Sequence, residues 1–169
     1  MQSRGAPRNG FTMVELMVVI VIVGILSGLA IPTYMRNWQD ERLNSATKRT
    51  IAWLDDLRRS AIQNSTVCRA TIDTTNTNLT GLCDNKPTEQ KVLDLQQEIP
   101  NTSGLSFSLT GSTPPTWIFT PRGTTTTEGD LRISLAGSDL GRCLTLMKPL
   151  GLLRSGKLRS GLCVYTTSY

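Results

Sequence analysis

From Leu16 to Ile31 the chain carries sixteen residues without a charge, and Ser27 is the only hydroxyl among them. Such a run reads as a helix with no polar face. Beyond Pro32 the pattern changes. Leu43, Ala46, Thr50, Leu54, Leu57 and Ala61 recur every three or four residues, flanked by Ile51 and Ile62. That spacing places one apolar stripe on a helix that packs against something else. Asp40, Glu41, Lys48, Arg49, Asp55, Asp56, Arg58 and Arg59 fall mostly off the stripe and read as a solvated face. A helix from about Phe11 to Ile62 would be about 78 Å long at about 1.5 Å per residue. Its apolar half is unstable in water by itself, so membrane or polymer must cover it.

From Val67 onward the period becomes two. Val67–Asp73 and Asn78–Asp84 read as strands around a turn centred on Thr75-Asn76. In that register Cys68 faces Cys83, Ala70 faces Gly81 and Ile72 faces Leu79, within reach of a disulfide. Lys86–Pro100 is polar and reads as a loop or short helical turn. Leu105–Leu109, Trp117–Thr120 and Leu131–Leu135 are further strands, punctuated by Pro114-Pro115 and Pro121-Arg122-Gly123. Arg142–Leu146 and Gly161–Tyr165, joined by a loop from Lys148 to Lys157, read as a second hairpin with Cys143 near Cys163. A helix followed by antiparallel strands is an α+β fold.

The head of the chain adds chemistry. Met1 to Gly10 holds Arg4 and Arg8, no acid, and ends in glycine before the apolar run. A basic leader, a small residue and an apolar core form a targeting signal. An ordinary secretory signal is cut after its core. Here the glycine precedes the core, so cleavage after Gly10 would leave the apolar segment on the mature chain. Glu15 stands at the edge of that segment, where an ionisable group marks a functional site.

Composition excludes several classes. The 169 residues contain no histidine, so the commonest general base and metal ligand is missing. No phosphate loop and no nucleophile with a histidine partner is present, and no cofactor or metal is expected. The chain does not read as an enzyme. The four cysteines lack Cys-x-x-Cys spacing, which argues against zinc and for two disulfides in an oxidising compartment. Three connectivities remain open by count alone.

Gly10-Phe11-Thr12-Met13-Val14-Glu15-Leu16 with its apolar run resembles the type III signal of type IV pilins and type II secretion pseudopilins. The resemblance implies that a prepilin peptidase cuts after Gly10 and methylates the new terminus at Phe11. Glu15, the fifth mature residue, would then pair with the ammonium of a neighbouring subunit's Phe11 during filament assembly. It also implies a helical bundle, into which the small-x-x-x-small pair Gly24 and Gly28 would pack, and a bend or local unwinding at Pro32. The organisation expected is leader 1–10, hydrophobic assembly helix 11–32, amphipathic helix 33–64 and β-rich domain 65–169. The location implied is the bacterial inner membrane, single-pass with a periplasmic C-terminal domain, then a pilus or pseudopilus.

Ile118-Phe119-Thr120-Pro121-Arg122-Gly123 looks like the central strand-turn element of the GspH/FimT group of minor pilins and pseudopilins. The late glycine-basic-x-basic element of that group is matched by Gly156-Lys157-Leu158-Arg159, with lysine where arginine is commoner. A second reading, DNA binding in DNA uptake, rests on the tail. After Asp139 there are no acids, and Lys148, Arg154, Lys157 and Arg159 could contact phosphates.

Overall fold

The computed structural model describes residues 10–98, 104–110 and 113–165, with side chains in the first helix described outside 29–33. Helix α1 runs Met13–Gln63. It crosses the boundary between two compact units, Met1–Trp38 and Gln39–Tyr169.

In the second unit α1 buries the stripe: Leu43, Ala46, Thr50, Leu54, Leu57 and Ala61 are all fully or almost fully covered. The two threonines facing the core return their hydroxyls to the helix. Thr47 Oγ1 donates to the Leu43 carbonyl at 2.7 Å and Thr50 Oγ1 to that of Ala46 at 2.9 Å. Neither of these two hydroxyls is thereby left without a partner, which would cost about 1–3 kcal/mol each. The helix ends where Ser65 adopts a left-handed conformation (φ 49°) and the Thr66 N–H closes back on the Ala61 carbonyl.

Among the described residues nine strands follow: β1 Cys68–Asp73, β2 Asn78–Cys83, β3 Lys86–Asp94, β4 Leu105–Leu109, β5 Thr116–Phe119, β6 Gly129–Leu135, β7 Gly141–Met147, β8 Leu152–Arg159 and β9 Leu162–Val164. A short helix α2, Leu95–Glu98, follows β3. They form two antiparallel sheets, in the orders β3-β2-β1-β5 and β4-β6-β7-β8-β9. One core joins the α1 stripe to both. Ile72, Leu79, Trp117 and Phe119 come from the first sheet, and Phe107, Leu131, Ile133, Leu144 and Leu146 from the second. Each large side chain so buried contributes about 1.5–3 kcal/mol.

The α+β fold is as the periodicities predict, and so is the register of the first hairpin. Cys68 opposes Cys83, Ala70 opposes Gly81 and Ile72 opposes Leu79. Two segments differ from expectation. Lys86–Asp94 is a strand, not a loop. It lies at a sheet edge with its first seven residues exposed. Backbone pairing to β2 makes it a strand, and no burial alternation announces it. Likewise Leu152–Arg159 is a strand, so the expected loop from Lys148 to Lys157 shrinks to the turn before Leu152.

This changes the tail. β7 pairs with β8, and β9 pairs with β8, so Cys143 and Cys163 do not face each other in a ladder. Their disulfide passes across β8 with a Cα–Cα distance of 6.0 Å. Gly156, opposite Cys143, lets β9 come close: a Cβ there would meet the Val164 carbonyl oxygen at 2.7 Å. Around this link, on the face opposite Leu144 and Leu146, Thr145 Oγ1 is hydrogen-bonded to the Asp130 carboxylate and to the Tyr165 hydroxyl. Arg132 Nη2 donates to the Gly161 carbonyl at 2.8 Å.

Candidate assembly segment

Gly10 and Phe11 precede the first turn of α1 and are exposed, Phe11 at 83%. Thr12 begins the helix. Its Oγ1 accepts the Glu15 N–H at 3.2 Å, and its carbonyl accepts the Leu16 N–H at 3.2 Å. Thr12 is therefore the N-cap, and Thr12 to Glu15 has the spacing of a capping box. The junction at Gly10-Phe11 thus stays outside the helix, while Glu15 stands in its first turn. There the helix dipole favours a carboxylate. The cap is a site residue the expectations omitted, although Thr-x-x-Glu was legible in the chain.

Beyond Glu15 the helix exposes apolar side chains on all sides, from Leu16 through Leu26. Nothing lies within 4 Å of a Cβ built on Gly24 or Gly28. Both are open notches on this surface, available to a close neighbour. Exposure of this extent requires a covering partner. Among the described residues no helix is long and apolar enough to cross a membrane. The uncharged run continues to Ile31, but its side chains are described only to Gly28. Pro32 lies within α1, and its side chain falls outside the described residues, as do leader residues 1–9.

The four basic tail residues do not form one loop. Lys148 is 3.1 Å from the Glu128 carboxylate. The Arg154 guanidinium sits 5.3 Å from the centre of the Tyr165 ring. Lys157 is 3.7 Å from Asp40. Arg154 and Lys157 stand three residues apart on β8, hence on opposite faces. Arg159 is exposed at the end of that strand. Among the described residues no group of acidic, histidine and cysteine side chains could hold a metal.

Two cations, Arg58 from the expected solvated face and Arg142 from an expected strand, are ties. Arg58 Nε donates to the Gly123 carbonyl at 2.7 Å, and its Nη2 to the Leu150 carbonyl at 3.2 Å. Gly123 has φ 75°, and a Cβ there would come within 2.7 Å of Ile62 Cδ1. The Pro121-Arg122-Gly123 turn after β5 is thus seated on α1 and needs its glycine. Arg142, expected in a strand, reaches Asp40 at 2.8 Å.

Comparisons with known proteins bear on both units. Residues 6–31 match the prokaryotic N-terminal methylation motif. A 35-residue segment is 54% identical to the type IV major pilin protein PilA of Myxococcus xanthus; it spans 20% of this chain and 16% of that protein. The minor pseudopilin EpsH from the type 2 secretion system of Vibrio cholerae superposes with a TM-score of 0.53 at 20% identity, over 69% of this chain and 97% of that one. The chain thus carries the prokaryotic methylation motif at its head and shares the fold of a minor pseudopilin.

The type IV minor pilin FimU of Pseudomonas aeruginosa also shares the fold of this pilin-like chain, with a TM-score of 0.53 and 20% identity over 73% of this chain and 93% of that one. At this identity the likeness is one of fold. The methylation-motif match, by contrast, lies at residues 6–31, where the capped helix start and the exposed apolar surface lie.

Proposed function

We propose that this chain is a minor pilin or pseudopilin, inserted in the bacterial inner membrane, cut by prepilin peptidase after Gly10 and assembled into a type IV pilus or type II secretion pseudopilus. The observation that carries this reading is a methylation motif over residues 6–31 joined to a two-sheet domain that shares its fold with EpsH and FimU. Its role is structural, not catalytic.

The mechanism follows from the ends of the segment. Arg4 and Arg8 hold the leader on the cytoplasmic side, where basic residues accumulate. Cleavage frees the Phe11 amine, which is then methylated. Glu15 of one subunit attracts the Phe11 ammonium of its neighbour. In a low-dielectric bundle that attraction far exceeds its value in water, and it sets the axial register. Contacts among the Leu16–Ile31 segments, with Gly24 and Gly28 as close-approach points and Pro32 as a place to bend, supply most of the cohesion. Mass spectrometry of the purified mature chain tests the processing step. An N-terminus at N-methylated Phe11 is the expected result; an intact leader, or cleavage after the apolar run, contradicts it.

The second reading is DNA binding in uptake through Lys148, Arg154, Lys157 and Arg159. The acid-free tail favours it, while the existing partners of Lys148, Arg154 and Lys157 weigh against it. A gel shift of the fragment from residue 36 onward at two salt concentrations tests it. Steeply salt-dependent binding, lost on charge reversal at Arg154, Lys157 and Arg159, is required by this reading; no binding at low salt ends it.

A further inference from the structure

Directly after the apolar run, α1 presents a different surface. Tyr34 is 70% exposed and Trp38 is 44% exposed, with Met35 and Arg36 exposed between them. Tyr34 and Trp38 stand one turn apart, on one side of the helix. Both couple an apolar ring to a polar O–H or N–H. Side chains of this kind concentrate where hydrocarbon meets headgroups. After Glu15 the next acids are Asp40 and Glu41.

The spacing fits a bilayer. From Met13 to Tyr34 the helix rises about 32 Å at about 1.5 Å per residue, close to the hydrocarbon thickness of about 30 Å. Trp38 lies about 6 Å further on, within the roughly 40–45 Å that includes the headgroup regions. Phe11 occupies the opposite end, so aromatic residues bound the apolar run on both sides. Arg36 can extend its guanidinium to lipid phosphate while its stem lies along the apolar boundary.

We infer that Tyr34, Arg36 and Trp38 form a collar that seats the unassembled subunit in the headgroup layer of the periplasmic leaflet. The collar rests on the reading that the chain enters a bilayer. It fixes the depth of the helix and so the height at which Glu15 awaits a neighbour. Leaving the membrane for a filament then means withdrawing the collar from headgroups, a step separate from pairing at Glu15.

The test uses the full mature chain in vesicles of phosphatidylethanolamine and phosphatidylglycerol. Tryptophan emission is quenched with lipids brominated either high on the acyl chain or near its end. Subtracting the Trp38→Phe protein isolates Trp38 from Trp53 and Trp117. A second protein, Y34W combined with W38F, moves the reporter back one turn. At both positions shallow bromines should quench about twofold more strongly than deep ones, as an interfacial ring requires. Absent quenching in bilayer-embedded protein, or stronger deep quenching, overturns the collar alone. Protein that washes off the vesicles with alkaline carbonate overturns both the collar and the membrane insertion beneath it. Quenching that appears only on addition of a second pilin subunit assigns these residues to a subunit contact and likewise overturns the collar.

Discussion

Arg142 Nη2 lies 2.8 Å from Asp40 Oδ1, tying the strand β7 to α1 across 102 residues of sequence. Arg142 is only 14% exposed and Asp40 37%. Lys157 contributes a second, looser cation at 3.7 Å. The pair anchors the first part of α1 inside the folded unit that begins at Gln39. Removing Arg142 leaves a half-covered carboxylate with the weaker partner. Arg142→Ala should therefore cost about 1–3 kcal/mol. Lys157→Ala, a change at an exposed pair, should cost less than about 1 kcal/mol. Urea denaturation of the fragment from residue 36 onward checks both; equal costs would contradict this ranking.

Arg58 serves two carbonyls at once, those of Gly123 and Leu150. Arg58→Lys keeps the charge but loses the fork whose Nε and Nη2 reach the two oxygens, because lysine's donors all sit on one nitrogen. It should destabilise the same fragment by about 1–3 kcal/mol. Gly123→Ala should cost at least as much, since it adds backbone strain at φ 75° and contact with Ile62. A neutral result for both would detach the Pro121-Arg122-Gly123 turn from the helix.

The helix stripe and the first hairpin were legible because burial imposed a period on them. Leu43 to Ala61 keeps a spacing of three and four, and Ile72 and Leu79 alternate with less buried neighbours. β3 and β8 escaped because they owe their form to backbone pairing. β3 buries only Leu93, and β8 has Gly156 at the position that would have shown the alternation. The same hidden strand displaced the second cysteine pair from a hairpin to a bridge across β8. At the assembly segment, Gly10, Phe11 and Glu15 stood out because each carries an unusual type in a short motif. Arg58 and Asp40 did not, because their partners lie far along the chain and no local pattern marks a tertiary contact.

The two disulfides should act differently on the structure and similarly on stability. Cys68–Cys83 staples a hairpin over 15 residues, and Cys143–Cys163 holds β9 over 20. Replacing either pair by serine should cost about 3 kcal/mol on the loop-entropy scale. Amide exchange should rise around β9 only in the C143S/C163S protein. Peptide mapping without reductant checks the connectivity itself; a Cys83–Cys143 link would contradict it.

Asp73 anchors the turn between β1 and β2. The Asn76 side chain and the backbone N–H groups of Asn76 and Thr75 donate to its carboxylate and hold its pKa below the ordinary aspartate value. A depressed carboxylate stabilises the fold fully above its unfolded pKa, and that contribution is lost as pH falls through the folded value. The turn should therefore persist at neutral pH and loosen only in acid below the usual aspartate range. Carbon-detected NMR titration of Asp73 checks the direction. Asp73→Ala should remove the acid-dependent change at Thr75 and Asn76.

Filament recovery of the Glu15→Ala chain tests the central claim most directly. Mutant and wild-type proteins are compared in the membrane fraction and in sheared filaments. The account predicts a mature, membrane-retained Glu15→Ala chain that is absent from filaments, since only the pairing with a neighbour's Phe11 has been removed. Recovery of Glu15→Ala in sheared filaments at the wild-type level would contradict it.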